Sequence, residues 1–134
     1  MTEENQKINI REEVERADQT IKAARLLYEN GFFNDAISRL YYFLLYYIRA
    51  LLLTKGLEPK SHEGALRLFS LHFVRTGFFK TESSHIFSKM MKYREEADYN
   101  PSYLFTKEDF ITFSKESEEL TARIRDYLKK EGYL

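Results

Sequence analysis

Three groups of residues have types and spacing that could do chemistry. The first is Arg39, Tyr42, Tyr46 and Arg49. On a helix at 100° per residue they fall, with Leu53, within a sector of about 120°. Arginine forks hold phosphate oxygens and tyrosine rings stack on bases, so such a face suits a nucleotide or RNA phosphate. The alternative is that the arginines lay their stems along the core and the tyrosines pack with hydroxyls at the rim. The second group is Tyr93-Arg94-Glu95-Glu96-Ala97-Asp98-Tyr99-Asn100. Arg94 and Asp98 are one helical turn apart. They form either a surface pair worth a few tenths of a kcal/mol or an arginine that Asp98 orients toward an anion. The third is His62, beside Lys60 and Ser61 at the start of a helical segment. A helix N-terminus lowers an imidazole's pKa and attracts anions, although a helix-start histidine also occurs without a task.

Other chemistries are excluded. The chain has no cysteine, which removes disulfides, thiolate metal sites and thiol nucleophiles. Its three histidines, His62, His72 and His85, include no i, i+4 pair for a helix-borne zinc site. There is no glycine-rich phosphate loop, serine elbow or HExxH motif. The sequence therefore calls for no metal and no cofactor. Glu116, Glu118 and Glu119 read as a solvated face.

These groups must be carried by a small scaffold. At 134 residues the chain is one domain's length. A surface of roughly 7,400 Å² goes with that mass, enough to enclose one core. With 43% apolar and 31% charged residues it reads as an ordinary globule. Five Gly and two Pro are too few for a β-sandwich turning every ten residues or so. Net charge is zero but unevenly spread. Residues 1–34 hold 5 basic and 7 acidic side chains, residues 35–94 hold 10 and 4, and residues 95–134 hold 6 and 10. A basic middle between acidic ends either focuses an anion or packs opposite-sign helices together. The polar start and a longest apolar run of nine residues, Leu40 to Ile48, lead us to expect a cytoplasmic protein outside the membrane.

Gly31, Gly56, Gly77 and Asn100-Pro101 divide the chain into five segments, each with helical period. The first runs from about Asn9 to Asn30, with Ile10, Val14, Ala17, Ile21, Ala24 and Tyr28 in one stripe. The second, about Asn34 to Lys55 with Asn34 as a candidate cap, is apolar nearly all round and belongs at the centre of a bundle or in an oligomer seam. On its wheel Tyr41, Leu44, Leu45, Ile48 and Leu52 take the side away from Arg39 and Arg49. The third opens at Ser61 as N-cap and stops near Gly77. The fourth runs from Thr81 or Glu82 to about Tyr99, before the proline. The fifth begins at Thr106, with Asp109 completing a capping box. Short connections favour antiparallel neighbours. We expect an all-α fold, an antiparallel up-and-down four-helix bundle with an additional helix, forming a single domain over 1–134 with its core at about 10–130.

The stretch Ala36-Ile37-Ser38-Arg39-Leu40-Tyr41-Tyr42, then Arg49-Ala50-Leu51-Leu52, His62 and Arg94-Glu95-Glu96-Ala97-Asp98-Tyr99 resembles the HEPN (higher eukaryotes and prokaryotes nucleotide-binding) domain family, in its short prokaryotic branch. The resemblance implies a dimeric four-helix bundle with a short extra helix, often paired with a minimal nucleotidyltransferase as toxin and antitoxin. Active members are metal-independent RNases with an R-x4-6-H motif working across the dimer cleft. There the arginine would steady the phosphate and the histidine would assist proton transfer during 2′-hydroxyl attack. Here Arg94 takes the arginine's place, but residues 99, 100 and 101 are Tyr, Asn and Pro, so the spacing lacks its histidine. A tyrosine, with a pKa near 10, is a poor base.

Three readings follow. The leading one is a dimeric module that binds a nucleotide or RNA phosphate and associates with a nucleotidyltransferase. It uses Arg39, Tyr42, Tyr46, Arg49, Arg94, Asp98 and Tyr99, and leans away from an enzyme. The second is a metal-independent RNase with Arg94, His62 and Tyr99 as catalytic candidates, His62 supplying the missing base from another helix. The third is an interaction protein without a ligand, its second segment a dimer seam.

Overall fold

A computed structural model describes residues 2–134. Five α-helices follow one another: α1 (Glu3–Glu29), α2 (Phe33–Leu53), α3 (His62–Phe69), α4 (Thr81–Tyr99) and α5 (Lys107–Lys130). A π-helical turn, Ser70–Val74, extends α3. No strand occurs among the described residues.

α2 is the axis. Ile37, Leu40, Tyr41, Leu44, Ile48, Leu51 and Leu52 are sealed from solvent on it. It packs against α1, α4 and α5. Its composition would suit a membrane span, but 83% of its most apolar window is covered by the other helices. Truncating a side chain such as Leu44 would cost about 2–5 kcal/mol, because neighbours on three sides prevent collapse into the gap.

The helix directions alternate. Gln6 near the start of α1 donates to the Leu53 carbonyl at the end of α2 (2.6 Å), so these helices run antiparallel. Gly31, at φ +83°, makes the three-residue reversal between them; a side chain there would be strained. Tyr93 of α4 stacks on Phe113 of α5 (4.7 Å), and the seven-residue link between these helices reverses the chain again. α3 and its π turn cross from α2 to α4. The accessible surface, 7688 Å², matches one core of this mass.

Some boundaries differ from the periodic reading. α1 begins at Glu3 rather than Asn9, because Thr2 Oγ1 accepts from the Asn5 N–H (3.1 Å) and starts the helix over polar residues. Asn34 does not cap α2; Phe32 occupies that place with no side-chain bond. The Asn34 side chain instead ties the α4–α5 link, donating to the Tyr103 carbonyl (2.8 Å) and accepting from the Phe105 N–H (2.9 Å). At α5 the expected box is closed: Thr106 Oγ1 accepts from Asp109 N (3.1 Å) and Asp109 Oδ2 accepts from Thr106 N (2.9 Å).

Opposite-sign helices do pack together. Glu13 of α1 meets Arg49 of α2 (3.3 Å), and Glu116 of α5 meets Lys89 of α4 (2.6 Å). Part of the basic middle is therefore neutralised by the acidic ends.

Candidate functional site around Arg94

Arg94 is the unusual residue. Arginine is rarely buried unpaired, yet this one is 6% exposed. Helical spacing on α4 points it inward beside Met90 and Met91, which are also buried. Its guanidinium carbon lies 5.5 Å from the Tyr41 ring centre, 6.0 Å from Tyr42 and 5.9 Å from Tyr99. Ring faces attract a cation but accept no strong hydrogen bonds. Nε has no partner, and the Asp98 carboxylate stands 3.8 Å from Nη1, beyond hydrogen-bond reach.

α2 supplies the floor. Tyr41 and Tyr42 meet edge to face (5.2 Å), and Arg39 lies over the Tyr42 ring at 4.6 Å. Two guanidinium groups thus share one aromatic ring, which concentrates positive potential there.

α3 supplies the wall. Ser61 Oγ accepts from the Gly64 N–H (2.9 Å) and starts the helix at His62. A Cβ at residue 64 would crowd that oxygen at 3.0 Å, so glycine lets the cap close. His62 Nδ1 then lies 2.6 Å from the Tyr41 hydroxyl. Burial first, and the charge of Arg94 second, hold the His62 pKa below its ordinary value. Burial pushes the Tyr41 phenol above its own, with Arg94 opposing.

His62 borders two grooves. One, about 540 Å³, is lined by His62, Arg94, Glu95, Glu96, Tyr99 and Asn100. Glu95 there is exposed and its charge is screened by water, whereas Arg94 is sheltered. The other, about 220 Å³, has Arg49, Lys60 and Ser61 in its wall. A sheltered cation with free donors, an imidazole and an exposed tyrosine (Tyr99, 75% exposed) can grip an anion and stack a flat ring.

The structure thus brings Arg94, Asp98, Tyr99, Tyr42, Arg39 and His62 into one neighbourhood. Tyr46 adjoins it only through its ring, 6.0 Å from that of Tyr42; the residue is buried rather than at the rim, and Arg16 of α1 lies over the ring at 4.1 Å. Arg49 is turned partly to Glu13 and lines the second groove, not the one over Arg94. Leu53, assigned to the same face, is buried against α1. Sequence reasoning grouped Tyr41 with Leu44, Leu45, Ile48 and Leu52 on the side away from Arg39 and Arg49, which is buried, but missed its hydroxyl's meeting with His62. The available signal was its hydroxyl, since a tyrosine amid leucines needs a polar partner when buried. It also missed the Tyr47 hydroxyl, which donates to Asp18 (2.7 Å) and accepts from Arg125 (2.9 Å).

Fold and sequence relatives define the class. A HEPN domain family model matches residues 10–127, and the chain belongs to the HEPN domain family. Among its relatives is "Putative toxin MJ0605" of Methanocaldococcus jannaschii, 36% identical over 91% of this chain and 93% of that protein. A second from the same archaeon, "Putative toxin MJ0142", is 35% identical over 72% of this chain and 65% of that protein. A UPF0332 protein of Thermotoga maritima is 32% identical over 89% of this chain and 80% of that protein.

Proposed function

We propose that this chain binds the phosphate of a nucleotide or RNA in the groove over Arg94. In this reading it is the toxin-like half of a toxin–antitoxin pair, acts as a homodimer and partners a minimal nucleotidyltransferase. The observation that carries the reading is the sheltered Arg94 guanidinium, which lines the groove and whose Nη1 stands 3.8 Å from its nearest carboxylate, beyond hydrogen-bond reach. A buried charge of that kind is costly in the empty protein and is offset when an anion arrives. The toxin names of two relatives and the family's usual pairing support the wider role. Exposed Phe32, Tyr103 and Leu104 near the groove's end of the bundle suit a surface that another chain covers.

The test is titration of a labelled short RNA and of adenosine 5′-monophosphate into wild type and Arg94→Ala, in EDTA. Losing a charge-assisted contact of about 1.5–3 kcal/mol should weaken binding tenfold or more. Equal affinities would remove Arg94 from the site.

A second reading has one specific observation in its favour, that His62 borders the groove holding Arg94. In an RNase a base takes the 2′-hydroxyl proton, O2′ bonds to phosphorus, and the P–O5′ bond breaks as O5′ gains a proton. The products carry 2′,3′-cyclic phosphate. No RNA cleavage by the pure protein in EDTA, or full activity after His62→Ala, would discard it. A ligand-free interaction protein would show a stable dimer by light scattering and no thermal shift with any nucleotide.

A further inference from the structure

The Tyr41 hydroxyl is a polar group set where none is needed for packing. The side chain is fully buried in α2, with its ring against Phe87 (6.0 Å) and its oxygen 2.6 Å from His62 Nδ1. A buried phenol must give its proton to an acceptor, and Nδ1 is the partner within reach. With Tyr41 donating, Nδ1 holds a lone pair and the neutral ring's one proton sits on Nε2. The opposite assignment, Nδ1–H donating to the phenolic oxygen, strands the phenolic proton in the core. Charged groups act on the ring from each element packed around it: Arg94 and Glu95 on α4, Arg49 on α2 and Glu63 on α3. The two arginines oppose a second proton.

We propose that Tyr41 is a positioning residue that fixes His62 as an Nε2–H donor on the wall between the two grooves. Nδ1 meets the buried Tyr41 hydroxyl, and His62 is partly exposed and lines both grooves, so Nε2 is the ring nitrogen left for them. The site then grips phosphoryl oxygens with Arg94 and the imidazole together. It has no free imidazole lone pair with which to deprotonate a ribose hydroxyl. The inference rests on the anion-binding reading and sharpens it: the same residue that would replace the missing base is held as a donor.

The experiment uses full-length protein labelled with 15N-histidine, with His62 assigned by its absence in His62→Gln. Ring-nitrogen spectra are recorded for wild type and Tyr41→Phe near neutral pH, and both are titrated with adenosine 5′-monophosphate. Wild type should show Nδ1 as an unprotonated, hydrogen-bonded acceptor and Nε2 protonated. Tyr41→Phe should lose the hydrogen-bond shift at Nδ1 and admit the second tautomer, while helicity by circular dichroism is kept. Its affinity for the nucleotide should drop by about three- to tenfold, the scale of one ordinary hydrogen bond. A protonated Nδ1 in neutral wild-type His62, or an Nδ1 signal unmoved by Tyr41→Phe, would overturn the assignment. If the ring signals behave as expected but wild type binds no nucleotide, the anion-binding reading fails, and the donor's task with it, while the tautomer lock is shown separately.

Discussion

Arg94 and Asp98 stand one turn apart on α4, with Nη1 and Oδ2 separated by 3.8 Å. The carboxylate is near enough to offset the guanidinium's charge and too far to satisfy its donors. An incoming phosphate would compete with Asp98 for the same cation. Asp98→Asn removes the competitor and leaves the buried charge with weaker compensation. We expect the variant to lose about 1–2 kcal/mol of stability, the scale of one undercompensated polar group. Added inorganic phosphate should then raise its melting temperature more than that of wild type. A smaller phosphate response in the variant would mean that Asp98 helps to hold the anion.

Arg94→Met separates a binding role from a structural one. Replacing a buried, poorly bonded ion by an apolar chain of similar length is often neutral or stabilising. The expected outcome is a melting temperature at or above wild type, together with at least a tenfold loss of RNA affinity, the scale of a charge-assisted contact. Urea unfolding and fluorescence anisotropy measure the two. A clear loss of stability with unchanged affinity would make Arg94 a structural residue.

The helices were legible because glycine stops and apolar stripes coincide. Gly31, Gly56 and Gly77 all adopt positive φ at or beyond helix ends, and Ile10, Val14, Ala17, Ile21 and Ala24 are all buried. The π turn at Ser70–Val74 was not legible, since an i→i+5 bond has no composition signature. Of the site, Arg94 with Tyr99 and Asp98 could be read as a cluster on one helix. Their meeting with His62 depends on a tertiary contact that local spacing does not encode. The wheel of α2 grouped Tyr41 with the buried leucines, as the structure does, but could not show which neighbours Tyr41, Tyr46 and Arg49 meet. It divides a helix into two faces, whereas α2 is surrounded: Tyr41 reaches α3, and Tyr46 and Arg49 are engaged by α1.

The depressed His62 pKa has a consequence for stability against pH. The folded protein resists protonating this ring, so its neutral form contributes fully above the unfolded value of 6.5. As pH falls below that, the unfolded chain takes up the proton first and stability is lost, down to the folded pKa. We expect wild type to lose more stability between about pH 7.5 and pH 5 than His62→Gln, in which this linkage is absent. Urea midpoints across the range give the comparison. Parallel curves would show that His62 titrates as it would in the unfolded chain.

Under the anion-binding reading, Arg49 would set how long an anion the site can use. It borders the groove on the far side of His62 from Arg94, beside Lys60, and is shared with Glu13. Burial raises the Glu13 pKa against the opposing pull of Arg49 and Arg16, and its Oε2, 3.3 Å from Arg49 Nε, has no hydrogen-bond partner. A mononucleotide on Arg94 would not need Arg49, whereas a ligand with a second phosphate would. Arg49→Ala should therefore leave adenosine 5′-monophosphate affinity unchanged, weaken a short RNA, and lower the salt slope of RNA binding by about one contact's worth, near 0.7 for a single strand. Glu13→Gln should act in the opposite sense, tightening RNA by releasing Arg49. Equal effects of Arg49→Ala on both ligands would place Arg49 at the first phosphate instead, and no effect on either would confine it to pairing α2 with α1.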